Sequence, residues 1–250
     1  MKPIPTRRRP PQCPMMRLDK FLARQGLGSR NAVRALLRAG RVLVDGQAAT
    51  DPAMHIDPER AVVTLDGQTL AYEATLTLMM NKPAGVLTAA DDPRRRTVMD
   101  LLPPRMAAMG CMPVGRLDLD TEGLLLFTTE GELAHRLLSP KRHVDKVYIA
   151  RLDGAITPDD VQAFAEGLPL SDFTALPARL EALEGFSARV TLREGRFHQV
   201  KRMFAARGRQ VLALKRVAFG GLPLDEGLAP GAYRVLTEEE MAILRAGCGL

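Results

Sequence analysis

Apolar positions along the chain change period several times, and each change marks an element. Leu18, Phe21 and Leu22 recur at helical spacing, with Gly26 and Gly28 behind them as stops. Ser29 stands where an N-cap belongs, ahead of a second helix over Asn31 to Ala39. Val33, Leu36 and Leu37 form its inner face and Gly40 closes it. Two short apolar runs follow, Val42 to Val44 before Asp45-Gly46 and Ala61 to Leu65 before Asp66-Gly67. Each reads as a strand entering a hairpin turn.

Further along, Leu76 to Met80 predicts a strand stopped at Lys82-Pro83, because proline cannot donate to a ladder, with Gly85 freeing the turn. Val98 to Met106 predicts a short helix broken at Pro103-Pro104. The run Leu124 to Phe127, bounded by Gly123 and Gly131, is long enough for a buried strand and too short for a helix. A helix over Leu133 to Leu138 ends at Ser139-Pro140. Asp145 to Ala150 then alternates, with Val147 and Ile149 on one face and Tyr148 on the other. Thr157 caps a helix through Ala165, and Leu180 to Leu183 and Ala188 to Leu192 are strands. Val200, Met203, Phe204 and Arg207 share a helical face beginning near Phe197 and ending at Gly208. Leu212 to Phe219 is a strand, and Thr237 with Glu240 makes a capping box for the last helix.

Composition narrows the classes. The 250 residues are 46% hydrophobic, enough for packed cores, yet no apolar run approaches the roughly eighteen residues of a membrane span. Residues 1–15 are proline-rich and basic, with Arg7-Arg8-Arg9 and no apolar core of a signal peptide. They read as a flexible arm with weak attraction for phosphates, or as an upstream start with no role. A net charge of +6 makes a polyanion a plausible partner. Three widely separated cysteines argue against a disulfide framework and a zinc site, so the cytoplasm is the simplest compartment. One charge pattern is specific. Arg30, Arg34 and Arg38 lie along one side of the second helix and Arg41 continues the row. A stripe without acidic partners calls for an anion such as an RNA backbone.

The candidate chemistry gathers at Gly115 to Thr129, where Arg116, Asp118 and Asp120 precede the apolar run. The segment is either an Asp/Thr-rich turn or a loop that delivers carboxylates from a rigid scaffold. The four histidines have no ligand spacing, which disfavours a metal site. Asp118 and Asp120, two apart, would share a face if extended, as a retaining glycosidase pair does. Stacking aromatics for a sugar are scarce. No nucleophile elbow is present. At the other pole, Arg196, His198 and Lys201 crowd a helix N-terminus, a natural anion site.

Residues 16 to 70, with R-V-L-V-D-G at 41–46, resemble the S4 RNA-binding domain. The stretch G-R-L-D-L-D-T-E-G-L at 115–124 resembles motif II of the pseudouridine synthases. N-K-P-A-G at 81–85, D-K-V-Y at 145–148 and E-G-R-F-H-Q-V-K-R-M at 194–203 follow in the family's order. The pattern is most similar to the RsuA branch. It implies an α+β chain: an arm over 1–15, an S4 domain over 16–70 and a linker over 71–76. A catalytic domain over 77–244, on a mixed, mainly antiparallel sheet flanked by helices, and a tail over 245–250 complete it. The resemblance further implies isomerisation of one 16S rRNA uridine, usually numbered 516, in an assembling small subunit. It implies a monomer that needs no cofactor or metal. A 23S rRNA synthase and a non-catalytic ribosome-assembly factor are the alternatives. Asp118 would be the catalytic carboxylate, Asp120 orienting, Lys201 its ion-pair partner, and Tyr148 would lie against the uracil. Arg116 would fill the space the nucleotide leaves or hold its phosphate. Lys82, Arg196, His198, Arg202 and the arginines at 30, 34, 38 and 41 would contact RNA.

Overall fold

The structure, a computed structural model, describes residues 15–250, so the basic arm lies outside the described residues except for Met15. Contacts divide the chain into two compact units. The first opens with a two-residue strand β1 (Met16–Arg17), helix α1 (Leu18–Arg24) and helix α2 (Arg30–Arg38). The Ser29 side chain accepts from the Ala32 amide, the cap that its position predicts. Five short strands follow: β2 (Val42–Val44), β3 (Gln47–Ala48), β4 (His55–Ile56), β5 (Val63–Leu65) and β6 (Gln68–Thr69). They form a β3-β2-β5-β6 sheet and a β1-β4 pair. Asp45-Gly46 and Asp66-Gly67 take positive φ at both positions, as a two-residue type I′ hairpin requires. Leu18, Phe21, Leu22, Val33, Leu37, Val42 and Val63 are buried together as the core of this unit.

The second unit is built on a nine-stranded sheet. Its first strand, β7 (Thr77–Lys82), is buried along its whole length. A 3₁₀ turn over Val98–Leu101 and helix α3 (Pro104–Ala108) come next. Residues 104–110 group with the first unit, where α1 contacts α3, so the two units interleave in sequence. Strand β8 (Met112–Val114) leads to β9 (Glu122–Thr128), the predicted buried strand. Helix α4 (Gly131–Leu138), strand β10 (Lys146–Leu152) and helix α5 (Pro158–Glu166) follow, α5 with its Thr157–Asp160 capping box. The remaining elements are β11 (Arg179–Ala182), β12 (Ser187–Leu192), α6 (Gln199–Ala206) and β13 (Val211–Phe219). The chain ends with β14 (Leu222–Pro223), β15 (Tyr233–Val235) and α7 (Glu238–Cys248). Helix α7 continues past Leu244 and buries Cys248, so most of the segment expected as a tail belongs to the fold.

Strands run in the order β11-β12-β10-β13-β9-β7-β15, with β14 on β13 and β8 on β9. Every pairing is antiparallel except β9 with β13. The sheet is mixed and mainly antiparallel, and the chain is α+β. Met79, Leu124, Leu126, Leu133, Leu137, Phe219 and Leu244 pack α4 and α7 onto one face. Burying each such side chain stabilises the fold by about 1.5–3 kcal/mol. Among the described residues no helix is long and apolar enough to cross a membrane.

Candidate active site

The loop from Gly115 to Thr121 joins β8 to β9, and the sheet holds it from behind. Lys82, at the end of β7, is fully buried. Its ammonium donates to the carbonyls of Pro83 (3.0 Å), Asp118 (3.2 Å), Leu119 (3.3 Å) and Thr121 (2.9 Å). Three protons shared among four acceptors form a cationic clamp under the loop, and burial lowers the Lys82 pKa to about 8. Lys82 therefore does not face solvent as an RNA contact; it anchors the loop. The Gly85 amide donates to the Leu119 carbonyl at 2.8 Å, and the Thr88 hydroxyl donates to the Leu117 carbonyl at 2.9 Å. The Asn-Lys-Pro-Ala-Gly segment thus anchors the Asp-bearing loop.

Asp118 emerges from this clamp with a quarter of its side chain exposed. Its two carboxylate oxygens lie 3.6 Å from His198 Nε2 and 3.5 Å from Lys201 Nζ. Lys201 is closer to Asp120, at 2.5 Å, so the lysine bridges both aspartates instead of pairing with Asp118 alone. That hydrogen bond, followed by Coulomb attraction, holds Asp120 below the usual carboxylate range. The two carboxylates do not sit on an extended strand: the Thr121 amide donates to the Asp118 carbonyl in a turn. Arg116, at the start of the loop, is exposed and has no hydrogen bond or ion pair among the described residues.

His198 and Lys201 come from the start of α6. The helix begins at Gln199, two residues later than the spacing suggests, because His198 takes φ 50° as its N-cap. The buried Gln199 amide fastens this corner, accepting from the Arg196 backbone at 3.0 Å and donating to Glu194 at 2.7 Å. Arg196 lies over the Phe173 ring at 4.4 Å, beside Glu194. Arg202 lies over the same ring at 5.1 Å and pairs with Asp172 and Ser171. Both arginines are already committed to protein partners.

Tyr148 enters through sheet register. Gly123 of β9 pairs with Arg216 of β13, and Arg216 pairs with Tyr148 of β10. Adjacent strands stand about 4.8 Å apart, so Tyr148 lies two strands from the exit of the Asp118 loop. Its ring is 8% exposed and its hydroxyl makes no hydrogen bond among the described residues. Between them Arg216 is buried, donating from Nε to the Leu124 carbonyl at 2.7 Å, with Nη2 unpartnered. Lys146, two residues before Tyr148 on the same face, is also buried; desolvation, then the Arg216 charge, lower its pKa to about 8. Sequence reading passed over Lys146 and Arg216, although Lys146 shares the Tyr148 side of an alternating strand.

In the first unit, Arg30, Arg34 and Arg38 are exposed on α2 and form no ion pair among the described residues. Arg41 departs from the expected stripe, because it pairs bidentately with Asp66 of the neighbouring turn. Among the described residues no cluster of three or more His, Cys, Asp or Glu could hold a metal ion.

Residues 76–206 match the family described as RNA pseudouridylate synthase, and residues 16–62 match the S4 domain. The chain is 46% identical over 234 residues to an RNA pseudouridine synthase of Bacillus subtilis, YtzG, covering 92% of this chain and 98% of the relative. It is 44% identical to the ribosomal small subunit pseudouridine synthase A of Salmonella typhimurium, covering 91% and 99%. A crystal structure of a pseudouridylate synthase aligns with TM-score 0.65 and 35% identity, covering 92% of this chain and 99% of that one.

Proposed function

Given that the chain belongs to the RNA pseudouridylate synthase family, we propose that it isomerises one uridine of 16S rRNA, the position usually numbered 516. We take the substrate to be RNA in an assembling small subunit, met by a monomer in the cytoplasm. The near-full-length similarity to small subunit pseudouridine synthases A supports the choice of 16S over 23S rRNA.

One observation carries the mechanism: Lys82 clamps the backbone of the Asp118 loop from below, and the Asp118 carboxylate is flanked by His198 and Lys201 with a quarter of its side chain exposed. A uridine within structured RNA must leave its stack to reach that carboxylate, at a cost of a few kcal/mol. The exposed arginines of α2 and Arg116 offset the cost through phosphate contacts. Asp118 then acts on the extruded nucleotide, by attack at C1′ or C6 or by removing the C2′ proton. The N1–C1′ bond breaks, the base turns, C5 bonds to C1′, and the C5 proton is lost while N1 gains one. Tyr148, with its hydroxyl unengaged, lies against the uracil and accepts the C5 proton. Lys201 holds Asp120 as the anion and sets its positive charge beside Asp118. The reaction conserves atoms and oxidation state, so it requires no external cofactor.

Asp118→Asn keeps the shape of the side chain and removes its charge. The expected result is at least about a 10⁴-fold loss of turnover with RNA affinity unchanged, read by tritium release from labelled rRNA and by filter binding. Wild-type turnover in that variant would remove the mechanism. A pseudouridine map of both rRNAs from cells with and without the protein tests the substrate, and a change confined to 23S rRNA would reassign it.

A further inference from the structure

Two phenylalanines lie near the start of α6, and their surroundings differ. Phe173 has the Arg196 and Arg202 guanidinium groups against its ring, at 4.4 and 5.1 Å. Phe197 has no such cover. It is 76% exposed, more than any other large apolar side chain among the described residues. Its ring lies parallel to the His198 imidazole, with centroids 3.9 Å apart and planes 16° apart. The imidazole in turn stands 3.6 Å from the Asp118 carboxylate. A short aromatic stack therefore leads outward from the reacting carboxylate and ends on a bare phenyl face. Lys201 stands on the Asp118 side of this stack, and Arg196, the chain neighbour of Phe197, is turned to Phe173 and Glu194, so the phenyl face is left uncovered.

We propose that Phe197 is a stacking seat for a nucleobase next to the isomerised uridine. The inference rests on the rRNA-modifying function proposed above and names how the RNA is held there. Geometry separates this base from the reacting one. A ring stacked on the outer face of Phe197 is separated by the phenyl ring from the His198 imidazole that borders Asp118, which suits an adjoining nucleotide and not the reacting one. Once the uridine swings out, its neighbour loses a stacking partner, and the phenyl face supplies a replacement. Every base has a π-face, so the seat fixes position without reading sequence. His198 stiffens the platform from behind.

The test uses the full-length protein and a 16S rRNA segment carrying the target uridine, with 2-aminopurine at each flanking position in turn. The variants Phe197→Ala, Phe197→Leu and Phe197→Tyr are compared by fluorescence on binding and by steady-state turnover. Stacking predicts quenching at one flanking position with the wild type and Phe197→Tyr, and its loss in the other two. It also predicts a rise in Kd and KM of roughly 5- to 150-fold for Phe197→Ala and Phe197→Leu, with kcat much less affected. Leucine matters because it keeps apolar cover without a π-face. Unchanged KM and quenching in Phe197→Ala and Phe197→Leu would overturn the proposal. So would a wild-type dimer in sedimentation that Phe197→Ala converts to monomer, since the ring would then cover a second copy. A wild-type protein that binds with quenching but forms no pseudouridine would instead overturn the function and leave the seat standing.

Discussion

Gly123 shows how a single position can be fixed from far away in the chain. Its φ is +100°, and a Cβ there would lie 2.2 Å from the Arg216 carbonyl oxygen and 2.9 Å from the Arg216 nitrogen. The obstruction is the backbone of β13 at the one parallel pairing of the sheet, so no side chain can rotate away. Gly123→Ala is expected to cost more than about 3 kcal/mol, combining backbone strain with displacement of a strand. A urea unfolding midpoint measures the loss. In the sequence this glycine reads only as a strand boundary, because its constraint comes from a residue more than ninety positions later. Lys82 is the parallel case. Its lysine-proline pair reads correctly as a strand end, but nothing local reveals that the ammonium turns inward to carbonyls of a loop some forty residues on. The nearness of Asp118 to Lys201 was legible because both belong to motifs; the sharing of that lysine with Asp120 was not, since spacing carries no side-chain distance.

Among elements, those with local causes were read well. Ser29, Thr157 and Thr237 cap the helices their positions announce, and both Asp-Gly pairs turn hairpins. Strand β8 escaped because it is three residues long and holds Pro113, which argues against a strand from sequence alone. Helix α2 carries the element-scale prediction. Arg34 and Arg38 stand one turn apart on its exposed side without acidic partners. Replacing both with alanine should weaken RNA binding and reduce the slope of log K against log salt by up to about two, one for each phosphate no longer neutralised. Filter binding across a salt series measures it, and an unaltered slope would mean that the stripe does not touch phosphate. Arg41 is the internal contrast: it is tied to Asp66, so replacing it should disturb the turn more than the binding.

At the scale of the molecule, fold class followed from the family resemblance, but strand order did not. The order depends on pairings such as β9 with β13 and β7 with β15, which join distant segments. The same holds for residues 104–110, which group with the first unit although they lie within the span of the second. Burial of charge has a whole-molecule signature as well. Desolvation lowers both Lys82 and Lys146 to about 8 from the ordinary 10.5. Between those values the folded chain holds fewer protons than the unfolded chain, unfolding takes protons up, and stability rises with pH. Below about pH 8 both forms are protonated and the two groups add no slope. Urea midpoints from pH 7 to 10 should show the rise, and Lys146→Met should flatten it.

The clamp beneath the Asp118 loop has a consequence for how the two molecules meet. With four carbonyls tied to one interior ammonium, the backbone that bears the carboxylate is set before any partner arrives and has little freedom to follow one. The protein behaves there as a die, and the burden of motion falls on the RNA strand pressed against it.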